Sequence, residues 1–305
     1  CGMIANLIYN MGSGILRAIG NSRWPLYFLM VSCLINIILD ILFVAVFHWG
    51  VAGVGFATVI AQIVSACLIC ISLSKTTECY QLKLRKIRFH GEMLSHMIRI
   101  GLPAGLQSLM YTSTNVIIQS NINSLGTNTI AAWTAYSKID GIFWMTMNSF
   151  GISVTTFVGQ NFGAGNYKRV RKGTIVCLKM AASTALIMSF ILYFGAPYVY
   201  QLFTNDSMVI GKGLEIVHFL APTFITYVSI EILSGSLRGM GNSFIPMILT
   251  SLGVCVLRII WLIIATPIWP GIKTVVFCYP LTWVVTSILF IFYYRRYTKK
   301  TIVSM

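Results

Sequence analysis

Ten residues, LRAIGNSRWP at positions 16–25, recur as LRGMGNSFIP at positions 237–246. In each copy a Gly-Asn-Ser run follows an apolar segment that ends near an arginine, and a proline stands near the start of the next apolar segment. Glycine ends helices because it readily adopts a left-handed backbone conformation, and proline suits the first turn of a helix. Each copy therefore predicts a junction between two helices, and the offset of 221 residues from Leu16 to Leu237 predicts an internal repeat.

The composition indicates that the helices around these junctions span a membrane. Of the 305 residues, 57% are hydrophobic and only 10% are charged, whereas a soluble domain carries about 25% charged residues. A spanning helix needs roughly 20 predominantly apolar residues, and about nine such runs can be marked. We therefore predict an all-α polytopic membrane protein and exclude a soluble enzyme, a nucleic-acid-binding domain and a disordered chain. After a first helix that ends near Leu16, the other helices are expected at about 24–47, 51–74, 97–124, 129–157, 174–202, 213–237, 245–266 and 272–294.

Basic residues concentrate on one side of the predicted membrane. When the helices alternate in direction, most of the 22 Lys and Arg residues fall on the same face, in these places: Arg17 and Arg23, the 75–96 segment, the 168–172 loop, Arg238 and the 295–300 tail. Cytoplasmic loops of membrane proteins are rich in Lys and Arg. We therefore expect a multi-pass protein of the cell membrane with the 75–96 linker and the C-terminus in the cytoplasm. The net charge of +15 is thereby explained without a nucleic-acid partner.

The repeat also predicts how the helices are grouped. About six crossings separate the two copies, so both face the same side, as in parallel repeats related by an axis along the membrane normal. The same offset places the start of the first half before Cys1, so about three N-terminal helices and part of a fourth are expected to be missing. The predicted organisation is the remainder of an N-lobe at 1–74, a cytoplasmic linker at 75–96 and a C-lobe with a cytoplasmic tail at 97–305.

Three stretches carry a resemblance to a known family. The first is the repeated junction at 16–25 and 237–246, the second is NIILD at 36–40 followed by GVGFAT at 53–58, and the third is TFVGQNFGAGN at 156–166. In order and spacing the chain resembles the MATE (multidrug and toxic compound extrusion) transporters, from the fourth to the twelfth helix of that family.

The resemblance implies a MATE-like bundle of two six-helix lobes that rock between outward-open and inward-open states. It implies secondary active export of small organic, often cationic, compounds in antiport with Na⁺ or H⁺. It further implies a monomer in membrane lipid that is not an enzyme and needs no cofactor besides the coupling ion.

Asp40 is the first candidate among the seven acids for a coupling residue. A charge at mid-membrane costs about 2.5–3.5 kcal/mol on insertion scales, so an acid inside a spanning helix needs a partner, a wet cavity or a function. Asn36 lies four residues earlier and shares a helix face with Asp40. Their oxygens suit a sodium ion or a proton relay; the alternative is a structural pair that joins two helices. The resemblance implies that Asn36, Asp40 and Thr58 line the cation site of the N-lobe.

Four charged residues in the predicted C-lobe are candidates for binding substrate or carrying charge. They are Asp140, Lys138, Glu231 and Arg258. Asp140 and Lys138 are two residues apart and do not face each other on a regular helix. A structural pair between Asp140 and Arg258, or between Lys138 and a carboxylate, is the alternative interpretation. Glu231 lies near the cytoplasmic face, where it could snorkel, cap a helix or reach Arg258 instead of acting in transport.

Four large side chains flank Asp140 and are candidates for a multidrug cavity. They are Trp133, Tyr136, Trp144 and Met145. Aromatic and methionine side chains form adaptable binding surfaces, although in membrane helices they more often face lipid. The eight cysteines and four histidines show no metal-ligand spacing, so no metal is expected beyond a sodium ion at Asp40 and Asn36.

Two other functions compete with drug export. A flippase for lipid-linked oligosaccharide or peptidoglycan precursors belongs to the same superfamily, and a cavity rich in Arg and Lys would favour it. A structural or receptor-like membrane protein without transport activity is the third hypothesis. The internal repeat and the acids inside predicted helices argue against this third one.

Overall fold

The computed structural model describes residues 2–86 and 88–302. All secondary structure assigned in these ranges is helical. The chain divides into two compact units, residues 1–90 and 91–305. The helices are α1 Met3–Ala18, α2 Arg23–Ile41, α3 Gly50–Lys75, α4 Gly91–Asn123, α5 Thr127–Gly163, α6 Tyr167–Gln201, α7 Ser207–Leu220, α8 Phe224–Gly239, α9 Phe244–Thr250, α10 Leu257–Ile268 and α11 Ile272–Ile302.

Short irregular turns join some of these helices into longer rods. A 3₁₀ turn at Ala221–Thr223 connects α7 to α8, a π turn at Ser251–Val256 connects α9 to α10, and a π turn at Leu42–Val46 extends α2. Apart from a short 3₁₀ turn at Leu84–Lys86, the described ranges therefore contain nine continuous helical stretches. The predicted all-α fold is confirmed.

Six of the stretches in the described part of the chain are long and apolar enough to cross a membrane: Arg23–Val46, Gly50–Lys75, Tyr167–Gln201, Ser207–Gly239, Phe244–Ile268 and Ile272–Lys300. The other three differ from the expected spans for two reasons. The helix α1 has only 16 residues, whereas α4 and α5 have 33 and 37 residues but carry many polar side chains. Some of the polar side chains of α4 and α5 line a cavity that these two helices border.

The two copies of the repeated junction fold into the same helix-ending motif. In the first copy Gly20 has φ +86°, and the Asn21 N–H donates to the Leu16 carbonyl at 2.9 Å. In the second copy Gly241 has φ +82°, and the Asn242 N–H donates to the Leu237 carbonyl, again at 2.9 Å. This is the Schellman arrangement, in which a left-handed glycine lets the chain satisfy the last carbonyls of the helix.

The first unit contains α1, α2 and α3. Its core is formed by Leu16, Phe28, Ile69 and Leu73. The Ser32 hydroxyl of α2 donates to the Ala61 carbonyl of α3 at 2.6 Å, which joins two apolar helices through a buried polar contact. The predicted 75–96 linker is shorter in the structure, because α4 already begins at Gly91 and carries Glu92 in its first turn.

The second unit contains α4 to α11 and is organised around a close crossing of α5 and α8. Small residues recur every fourth position on both helices, at Gly151, Thr155 and Gly159 of α5 and at Gly235 and Gly239 of α8. A Cβ atom on Gly235 would lie 2.9 Å from the Gly151 carbonyl oxygen, and the Thr155 hydroxyl donates to the Gly235 carbonyl at 3.0 Å. Such stripes of small residues let membrane helices approach closely. The division of the chain into transporter lobes stays a prediction.

Candidate functional site

A cavity of about 600 Å³ lies inside the second unit. Most of its walls come from α4, α5 and α8, with Arg258 of α10 and Tyr279 of α11 completing the lining. Binding sites for small molecules have volumes of roughly 300–1,000 Å³ and place a few polar groups among apolar and aromatic ones. The size and composition of this cavity therefore suit a drug-sized molecule.

The wall formed by α4 is polar and uncharged. Gln107, Tyr111, Asn115 and Gln119 follow one another at intervals of four residues and all line the cavity. Residues at this spacing share one face of a helix. Sequence reasoning missed this stripe because it singled out charged residues and the residues near them, although the four-residue spacing is visible in the sequence.

On α5, Asp140 lines the cavity together with Trp133, Tyr136 and Trp144. The Trp144 Nε1–H donates to Asp140 Oδ2 at 2.5 Å. Tyr136, one helical turn earlier, is a second neutral partner of the same carboxylate. No Lys or Arg forms an ion pair with Asp140 within the described ranges, so the carboxylate has neutral partners but no cationic one there.

Two expected neighbours of Asp140 point elsewhere. Met145 is 74% exposed and does not line the cavity, because five residues along a helix turn a side chain well away from Asp140. Lys138 is also exposed and lies outside the lining, since a spacing of two residues places it on the far side of α5. Within the described ranges Lys138 forms no ion pair, so the alternative of a Lys138–carboxylate pair is wrong.

On α8, Glu231 forms an ion pair with Arg238. Oε1 of Glu231 lies 3.7 Å from Nη2 of Arg238, and the Tyr227 hydroxyl donates to Oε2 at 2.9 Å. The side chains of Arg238 and Glu231 are only 26% and 17% exposed, and both line the cavity. Glu231 thus binds Arg238 and not Arg258, and Arg238 lines the cavity.

On α10, Arg258 is almost completely buried, with 2% of its surface exposed. Its guanidinium carbon lies 4.2 Å from the ring centre of Tyr279, and Nη2 donates to the Thr282 hydroxyl at 3.3 Å. Across residues 2–86 and 88–302, Nε has no hydrogen-bond partner and no carboxylate forms an ion pair with Arg258. The structural pair with Asp140 that the sequence left open is therefore absent from the described residues.

In the first unit, Asn36 and Asp40 lie on the last turns of α2, directly before the π turn Leu42–Val46. Nδ2 of Asn36 and Oδ1 of Asp40 are buried and lack a hydrogen-bond partner in the part of the chain that the structure describes. Thr58 of α3 is exposed, and its hydroxyl donates to the Val54 carbonyl at 2.9 Å. The shared cation site of these three residues stays a prediction.

Comparison with known proteins gives consistent matches. The family model described as MatE matches residues 103–264. The chain is 27% identical over 257 residues to "Probable multidrug resistance protein YpnP" of Bacillus subtilis (strain 168), which covers 82% of this chain and 56% of that protein. It is 26% identical over 259 residues to "Probable multidrug resistance protein NorM" of Thermotoga maritima, covering 81% of this chain and 54% of that protein.

Among solved structures, "Crystal structure of MATE in the bent conformation" superimposes with a TM-score of 0.89 and 22% identity. The superposition covers 98% of this chain and 67% of that chain. At this identity the likeness concerns the fold alone. The chain spans little more than half the length of the two curated relatives.

Proposed function

The chain belongs to the MatE family, and we propose that the protein exports small organic molecules across a membrane by secondary active transport. Members of this family are transporters and not enzymes, which agrees with the expectation from the sequence and argues against a purely structural membrane protein. The names of the two relatives refer to multidrug resistance, and we extend that activity to this protein as part of the proposal. We further propose that it works as a monomer in the cell membrane, with the basic loops in the cytoplasm.

The observation that carries the proposal is the cavity of the second unit. Its volume of about 600 Å³ accommodates a drug-sized molecule, and its aromatic residues offer adaptable contact area. Asp140, Glu231 and Arg258 place charge within this lining. A charged, half-apolar cavity between membrane helices is what a carrier of organic ions requires, because ionisable residues there are costly unless they serve binding or transport.

For the coupling ion we propose the region around Asp40 and Asn36, with Thr58 as a further oxygen ligand. The buried, unpartnered Oδ1 of Asp40 supports this choice. An oxygen without a partner in an apolar helix is available to a sodium ion, or to a proton that neutralises the carboxylate. The π turn that follows Asp40 is a further support, since such turns are frequent at functional sites.

The lipid-precursor flippase receives no comparable support. The lining contains two arginines and two acids, Arg238 and Arg258 with Asp140 and Glu231, and one arginine is already paired with one acid. This composition is not the excess of cations that a polyphosphate headgroup would favour. The relatives' names do not favour the flippase either.

The test is efflux of a fluorescent organic cation from energised membrane vesicles that contain the protein expressed from its gene. A sodium gradient is compared with a proton gradient, and Asp40→Asn is compared with the wild type. Glu78→Gln, which removes an exposed carboxylate outside the helices, is the matched control. We expect efflux under one of the two gradients, its loss in Asp40→Asn and its retention in Glu78→Gln. Absence of efflux under both gradients would contradict the proposed function, and unchanged efflux in Asp40→Asn would exclude Asp40 from coupling.

A further inference from the structure

Arg258 carries a permanent positive charge that nothing in the described structure neutralises. The guanidinium group stays protonated in proteins, and burying it without an acid is costly. Tyr279 and Thr282 give it a ring face and a hydroxyl oxygen, but neither is an anion. Because Arg258 also lines the cavity, an anionic group of a bound molecule can pair with it there. A planar carboxylate fits best, since guanidinium and carboxylate form two parallel hydrogen bonds.

Asp140 is an acid that lines the same cavity and has no cationic partner among its described residues. Trp144 and Tyr136 are neutral partners of its carboxylate, and no cation forms an ion pair with it in the described ranges. A cationic nitrogen of a bound molecule would satisfy it.

The remaining two charges of the lining already neutralise each other. Glu231 and Arg238 form their own ion pair, so the unpaired charges of the cavity are one negative group at Asp140 and one positive group at Arg258. A ligand that is only a cation leaves Arg258 uncompensated, and a ligand that is only an anion leaves Asp140 uncompensated.

A continuous series of aromatic rings connects the two unpaired charges. Arg258 lies against Tyr279, whose ring centre is 6.1 Å from that of Trp133. The ring centre of Trp133 is 5.2 Å from that of Tyr136, which precedes Asp140 by about one helical turn, and all three rings line the cavity. A ligand that reaches both charges therefore passes along an aromatic wall, where a flat ring system makes favourable contacts.

We propose that the cavity selects zwitterionic aromatic molecules, with Arg258 binding their carboxylate and Asp140 their cationic nitrogen. This inference rests on the proposed function for its biological meaning, because it names the class of molecule that the transporter carries. It assigns substrate selectivity to a residue, Arg258, that a site built only for cations does not need.

Three dyes with closely similar three-ring cores test the proposal by binding alone. Rhodamine 110 is a zwitterion, rhodamine 123 is its methyl ester and only a cation, and fluorescein is only an anion. Their dissociation constants are measured by fluorescence anisotropy with the purified full chain in lipid nanodiscs. We expect wild-type protein to bind rhodamine 110 about tenfold more tightly than either of the other dyes, because only the zwitterion forms both charge-assisted contacts.

Variants of Arg258 and Asp140 then test which residue binds the carboxylate and which binds the cationic nitrogen of the dye. Arg258→Gln should bind rhodamine 110 and rhodamine 123 equally, because the zwitterion loses its contact and the cation is no longer repelled by Arg258. Arg258→Lys should keep part of the preference, because it retains the charge but loses the two parallel hydrogen bonds. Asp140→Asn should remove the preference of the zwitterion over fluorescein. Arg296→Gln removes an exposed arginine that does not line the cavity and should leave all three affinities unchanged.

The wild-type ranking decides the proposal even if Arg258→Gln fails to fold. Equal or tighter binding of rhodamine 123 than of rhodamine 110, or binding of none of the three dyes, would overturn it. A preference that persists in a folded Arg258→Gln protein would overturn the role of Arg258. Because no gradient is used, dye selectivity without efflux of any of the three dyes contradicts only the proposed function, whereas efflux without dye selectivity contradicts only this inference.

Discussion

The carboxylate of Glu231 lies directly against the backbone of Gly151, so that a Cβ atom at Gly151 would overlap with Oε1 of Glu231. The absence of a side chain on α5 therefore creates the space in which the acid of α8 meets Arg238. The close crossing of α5 and α8 thus also holds the side chain of Glu231, one of the two acids that line the cavity, in its position.

Replacing Gly151 tests this relationship. Gly151→Ala should lower the free energy of unfolding by about 1–3 kcal/mol, because the added methyl group forces Glu231 out of its position in a packed interface. Gly141→Ala is the matched control on the same helix, since a Cβ there meets no atom within 4 Å. Thermal unfolding in detergent measures both variants, and equal melting temperatures would show that α5 and α8 are not packed this closely.

The ion pair of Glu231 and Arg238 should control the charge balance of the cavity. Glu231→Gln leaves Arg238 uncompensated, so binding of rhodamine 123 should weaken by about fivefold or more, while binding of fluorescein should strengthen. The double variant Glu231→Gln/Arg238→Gln removes both charges and should restore the wild-type ranking of the dyes. Anisotropy titrations measure the effect, and additive losses in the double variant would argue against a paired role.

The hydrogen bond from Trp144 should orient Asp140 for binding a cation. Trp144→Phe removes the donor and should weaken binding of rhodamine 110 and rhodamine 123 by about tenfold, with little effect on fluorescein. Trp261→Phe is the matched control, because Trp261 Nε1 donates to the Thr274 carbonyl at 2.9 Å and lies outside the cavity lining. An equal loss for all three dyes would point to general damage to the cavity instead.

The helix ends at the repeated junctions should require glycine because their backbone there has a positive φ. Gly241 has φ +82°, a conformation that costs alanine about 1 kcal/mol. Gly241→Ala should therefore lower the free energy of unfolding by about that amount, and Gly241→Asn by less, because asparagine tolerates the left-handed region better.

Gly195→Ala, in the interior of α6 with open space around its Cβ, is the comparison for this effect. Thermal melting of the three proteins gives the order. A Gly241→Ala protein as stable as Gly195→Ala would show that the junction does not need its glycine.

The helix junctions were predictable because their cause is local. A glycine that must adopt positive φ is visible as a repeated Gly-Asn-Ser run, and Gly20 and Gly241 indeed take this conformation. The presence of costly charges at Asp140, Glu231 and Arg258 was likewise visible, since few charged residues interrupt the apolar runs. The cavity places all three in its lining.

The partners of these charges could not be read from spacing. Periodicity indicates which residues share a helix face, but it does not indicate which face meets another helix. Arg238 was therefore expected only among the basic residues of the cytoplasmic face, until its ion pair with Glu231 was known. Met145 is a different case, because five residues along a helix already turn its side chain away from Asp140. The uncharged stripe of α4 was missed for another reason. Amide and hydroxyl side chains lower the hydropathy of a helix, but burying one of them in a membrane costs less free energy than burying a charge, so no single position stands out in the sequence.

The π turn at Ser251–Val256 immediately precedes the helix that carries Arg258. A π turn is equivalent to one residue inserted into an α-helix, and one residue corresponds to a rotation of about 100° around the helix axis. Losing that single residue would rotate α10 relative to α9 and swing the guanidinium group out of the cavity. The ionic preference of a cavity built this way is therefore open to change by insertion or deletion, without any alteration in the identity of its charged residues.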